Sequence, residues 1–84
     1  MQRKNMITAA QIRAARGLLD WTRKRLAEES GVPRSTLADF EAGRTDSMLT
    51  KNAGKLETAL NRAGVVFLDS PEHYGAALLR KIDL

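Results

Sequence analysis

Between Thr22 and Gly43 the sequence has room for two short helices and only three residues of turn between them, Gly31-Val32-Pro33. The hydroxyl of Thr22 can cap the first helix by accepting a hydrogen bond from an otherwise orphaned N–H of its opening turn. Arg23 to Glu29 form the body of that helix. Gly31 then takes the left-handed conformation that closes a helix most cheaply, and only Val32 and Pro33 separate it from the next one. The second helix runs from Arg34 to Ala42, and Gly43 stops it. Leu26, Val32, Leu37 and Phe40 are the positions expected to face inward and fix the angle between the two helices. Ala27 has to be small where the second helix crosses over the first.

The flanking segments supply the rest of a small core. Thr8-Ala9-Ala10-Gln11 has capping-box spacing, in which hydroxyl and amide each satisfy an N–H of the first turn. Ile7 and Ile12 are placed as a hydrophobic staple, and Ile12, Ala15 and Leu19 share one helical face. After Gly43, Asp46 or Ser47 can open a fourth helix, with Leu49, Ala53, Leu56, Leu60 and Ala63 as its apolar stripe and Gly64 as its end. Val65-Val66-Phe67-Leu68 is a β-type run, and Asp69 to Gly75 reads as a loop. Ala76 to Leu84 is compatible with two states. Tyr74, Ala77 and Leu78 keep helical spacing after Ser70-Pro71-Glu72, whereas Leu78 to Leu84 alternates as a strand does.

Bulk properties exclude several classes. A chain of 84 residues makes one domain with a small core. Its 43% hydrophobic and 29% charged residues describe a globular chain. There is no cysteine, hence no disulfide or thiolate metal site, and no apolar run long enough for a membrane span or a signal peptide. A cytoplasmic location is expected. His73 is the only histidine, and Asp69 and Glu72 near it are too few for a metal site. No nucleophile–base pair, phosphate-cradling glycine loop or carboxylate pair stands out, so neither enzymatic activity nor a cofactor is expected. The net charge is +4, and residues 1–45 carry all of the excess, with nine Lys/Arg against five Asp/Glu. That half is where a surface facing phosphates belongs.

With the inward positions assigned, the outward residues of the second helix are Arg34, Ser35, Ala38 and Asp39, with Thr36 beside them. Arginine can donate two hydrogen bonds to a guanine edge, and serine or threonine can serve several bases. A helix with such groups at its N-terminal end suits the major groove of DNA. Arg3 and Lys4 are expected to belong to a flexible N-terminal arm, residues 1–6.

Residues 21–44, Trp-Thr-Arg-Lys-Arg-Leu-Ala-Glu-Glu-Ser-Gly-Val-Pro-Arg-Ser-Thr-Leu-Ala-Asp-Phe-Glu-Ala-Gly-Arg, strongly resemble the phage-repressor-like (XRE/Cro) helix-turn-helix family of transcriptional regulators. The resemblance extends over roughly residues 7–68. It implies a mainly α, lambda-repressor-like DNA-binding domain of four helices over residues 7–64. By matching position it assigns base contacts to Arg34, Ser35, Thr36 and Asp39, and phosphate contacts to Thr22, Arg23 and Arg44. Two positions depart from the pattern: Arg23 stands where glutamine is usual, and Pro33 where serine or threonine is common. Short members of the family end in a Gly-Val-x-Phe-Leu segment and a second strand that build a dimer interface. Gly64 to Leu68 is similar to that first strand, which turns the reading of residues 65–84 towards a β-hairpin used for dimerisation. The implied protein is a homodimeric repressor of double-stranded DNA. The alternative is an interaction module or antitoxin-like protein that binds another protein through its C-terminal segment.

Overall fold

The computed structural model describes residues 7–43 and 50–80. It shows four helices, α1 (Ala9–Leu19), α2 (Arg23–Ser30), α3 (Arg34–Glu41) and α4 (Thr50–Arg62), followed by strands β1 (Val65–Asp69) and β2 (Tyr74–Leu78). The capping box of α1 is complete. Thr8 Oγ1 accepts from the Gln11 N–H at 3.2 Å, and Gln11 Oε1 accepts from the Thr8 N–H at 3.0 Å. Asp20 closes α1 in the left-handed region at φ 59°, and Gly31 closes α2 at φ 80°. The expected caps of α4 at Asp46 and Ser47, and its first apolar position Leu49, lie outside the described residues.

Ile12, Leu26, Val32, Leu37, Leu56, Leu60 and Val65 are buried to within 1% of complete exclusion from solvent. Ile7, Ala15 and Phe40 complete the core, with Trp21, Ala27, Phe67 and Ala76 packed on its margin. Burying an aliphatic side chain stabilises a fold by about 1.5–3 kcal/mol, so this cluster supplies most of what holds so short a chain together. Every helix contributes to it, and β1 adds Val65.

The hairpin forms, but its second strand begins earlier than the alternation over Leu78 to Leu84 suggests. β1 pairs antiparallel with residues 74–78, from Val65 opposite Leu78 to Asp69 opposite Tyr74. A four-residue loop joins them, closed by the Ser70 N–H donating to the His73 carbonyl at 2.8 Å and the His73 N–H donating to Ser70 Oγ at 3.0 Å. The short loop sets the register, and that places Tyr74 and Gly75 in the strand instead of the turn. Beyond the strand, the Leu79 N–H still donates to the Gly64 carbonyl at 2.8 Å. β2 packs against α1 and β1 against α4, so the hairpin lies on the helical core.

Candidate nucleic-acid interface

The second helix of the pair, α3, starts without a side-chain cap. Pro33 occupies the capping position at φ −58°, ψ 140°, and offers no side-chain hydrogen bond. The amide groups of the first turn of α3 therefore point out of the helix with no capping partner, which favours an anion there. Arg34 and Ser35 are exposed and Thr36 half-buried. None of these three side chains has a hydrogen bond or ion pair among the described residues. Asp39, one turn on, is exposed as well. The inward side of the same helix is spent on Leu37, Phe40 and Glu41.

Beside α3 an open cleft is lined by Arg16, Thr22, Arg23, Lys24, Arg34 and Ala38. It brings the N-terminal ends of α2 and α3 to one face with four cationic side chains. Thr22 Oγ1 accepts from the Arg25 N–H at 3.0 Å, as a cap should, and the hydroxyl proton is left to donate outward. The run Arg23-Lys24-Arg25 divides into three roles. Arg25 lies over the Trp21 ring, 4.7 Å from its centroid, and bonds Glu29 at 2.9 Å. That contact makes Trp21 a packing residue covered by a cation. Lys24 is exposed on the cleft with no partner among the described residues. Its charge is therefore available, a role that its place inside a basic run did not distinguish from that of its neighbours.

Arg23 is tied to something absent from the sequence reading. Glu41 ends α3 with its side chain wholly excluded from solvent. Arg16 grips it with Nη2 to Oε1 at 2.6 Å and Nε to Oε2 at 3.0 Å, a bidentate pair. Arg23 adds Nε to Oε1 at 3.2 Å. Arg13 Nη1 donates to the Glu41 backbone carbonyl at 2.8 Å, and Arg16 Nη1 to the Trp21 carbonyl at 3.1 Å. One carboxylate thus joins α1, α2 and α3 behind the exposed face. The bond of Arg23 uses Nε, and its side chain remains 45% exposed, which leaves the outer N–H groups towards solvent. Arg44, the third expected phosphate contact, lies outside the described residues.

A family model described as a helix-turn-helix matches residues 12–64. The chain belongs to the phage-repressor-like (XRE) helix-turn-helix family. No curated protein matches the sequence as a relative. Membership makes this a DNA-binding domain of the regulator type. The matched span begins inside α1, takes in α2, α3 and α4, and stops where the hairpin begins. Among the described residues no helix is long and apolar enough to cross a membrane.

Proposed function

We propose that the protein is a sequence-specific transcriptional repressor that binds its operator as a homodimer, with α3 of each protomer in the major groove. The observation that carries this reading is the start of α3, where Arg34, Ser35 and Thr36 have no partner among the described residues and stand next to a cleft lined by Arg16, Arg23 and Lys24. In this reading Arg34, Ser35, Thr36 and Asp39 face bases. Thr22, Arg23 and Arg44, together with Lys24, hold the phosphates. Base contacts supply specificity, and neutralised phosphates supply much of the affinity and make it fall steeply with salt. Occupying a promoter is enough to repress it.

The dimer reading rests on where apolar surface is left over. The exposed large hydrophobic side chains of the described residues are Val66, Leu68, Tyr74, Leu78 and Leu79 on or beside the hairpin, and Leu18 of α1. Leu18 and Leu78 line one depression with Arg80, so the patch is continuous from helix to strand. β1 buries Val65 and half-buries Phe67 on one side while Val66 and Leu68 face out. A strand apolar on both faces fits burial on both faces. A second copy supplies a matching surface by two-fold symmetry, and two copies give two recognition helices. A different protein seated on the same patch is the rival reading, favoured by the same exposure.

Selection of bound duplexes from a random pool at near-physiological salt tests the proposal. The expected product is an inverted repeat with half-sites about one helical turn, roughly 34 Å, apart. A folded protein that enriches a single half-site, or nothing, contradicts the homodimer, and a hairpin-bound foreign protein then becomes the better account.

A further inference from the structure

Gln11 is 3% exposed, one of two polar side chains in the core of the described residues. All the hydrogen-bonding capacity of its amide nitrogen goes to the hairpin. Nε2 donates to the Leu68 carbonyl at 3.0 Å on β1 and to the Gly75 carbonyl at 3.1 Å on β2. Its Oε1 is held by the Thr8 N–H, so the amide plane cannot turn without breaking the cap of α1. The strand is shaped to meet it: Gly75 lies at φ 142°, a conformation that residues with side chains rarely adopt. Thr8 Oγ1 and Tyr74 Oη form a further hydrogen bond between the same two elements. Val65, Phe67 and Ala76 of the hairpin also pack on the core, and these apolar contacts fix no direction. The covalent link passes through Gly64 at φ 102°.

Five residues further along the same helix, Arg16 bonds the carboxylate of Glu41, and Arg13 bonds its carbonyl. Those contacts hold α3. A short stretch of α1, about 7.5 Å of rise, therefore has directional bonds to the hairpin at one end and to the recognition helix at the other. We infer that Gln11 is a positioning residue that locks the hairpin to the recognition helix and so fixes the half-site spacing the dimer accepts. The inference rests on the reading of the hairpin as the dimer interface. Without the amide, the hairpin keeps the single Thr8–Tyr74 bond and its apolar contacts, so it can rock about Gly64, and two recognition helices joined through such hairpins reach half-sites at more than one separation.

The test is binding to a series of operators built on the selected repeat, with the half-sites moved apart or together by one base pair. Each such step shifts a half-site by about 3.4 Å and about 35°. Gln11→Met keeps the length of the side chain and removes its donors. The native protein is expected to lose about tenfold in affinity per step, the scale of one serious defect in a site. Gln11→Met is expected to lose about threefold or less, with its base preferences unchanged. A folded Gln11→Met protein with the native spacing penalty overturns the lock and leaves the dimer standing. A native protein indifferent to the spacing, or binding one half-site alone, overturns the dimer reading and the lock with it. Tyr74→Phe removes only the hydroxyl that bonds Thr8 and leaves the core untouched. It decides the matter if Gln11→Met does not fold: Gln11 still holds both strands in this variant, so an unchanged spacing penalty supports the lock, and a softened one overturns it.

Discussion

Glu41 shows how much a single buried charge can organise. Its side chain has no exposure, and two arginines converge on it from separate helices. Removing one partner of a buried ion pair leaves the other charge uncompensated, at about 3–5 kcal/mol. Arg23 is partly solvated, so the low end applies. Glu41→Gln is expected to destabilise the fold by about 3 kcal/mol, measured as a lower urea midpoint at unchanged slope. A loss below about 1 kcal/mol would mean that water already shares the charge. The cluster was not legible in the sequence because its two arginines lie 25 and 18 residues from Glu41, and nothing local marks Glu41 as inward or Arg16 as its partner. The exposed start of α3 was legible, since Arg34, Ser35 and Thr36 follow from counting outward positions once Leu37 and Phe40 are assigned to the core. Lys24 was missed for a related reason: only the structure shows that its neighbours on both sides are already engaged. Lys24→Ala is expected to weaken binding to all DNA sequences alike and to reduce the salt slope by about 1.

Among the elements, the helices were written in local chemistry and the strands were not. Thr8, Thr22 and Gly31 act as caps at the positions their types suggest. Two glycines in helical context carry opposite expectations. Gly31 is held at φ 80° with open space where a Cβ would stand, so Gly31→Ala meets backbone strain alone, about 1–2 kcal/mol. Gly54 lies inside α4, also with open space around it. Gly54→Ala should stabilise by about 0.5–1 kcal/mol through helix propensity. Thermal unfolding separates the two, since 1 kcal/mol moves the midpoint by about 4–8 °C in a domain of this size. The second strand was the hardest element to place. Residues 74–84 carry both helical and alternating spacing, and the deciding contacts are long-range ones, from Gln11 and Thr8 to β2.

In the whole molecule, α1 joins the face proposed to read DNA to an apolar patch. If the patch is a dimer interface, Leu68→Lys places a charge in it on both copies. Sedimentation is then expected to show a monomer at concentrations where the native chain is dimeric, with the helical content intact. Operator affinity should fall while the sequence preferred by each half-site stays the same. Whether the start of α3 reads bases is decided by paired random-pool selections on the native protein and Arg34→Ala. One position in each half-site is expected to lose its preference at a cost of about 1–3 kcal/mol, with the other positions unchanged. Uniform weakening with every preference retained would contradict it, because Arg34 would then touch only the phosphate backbone.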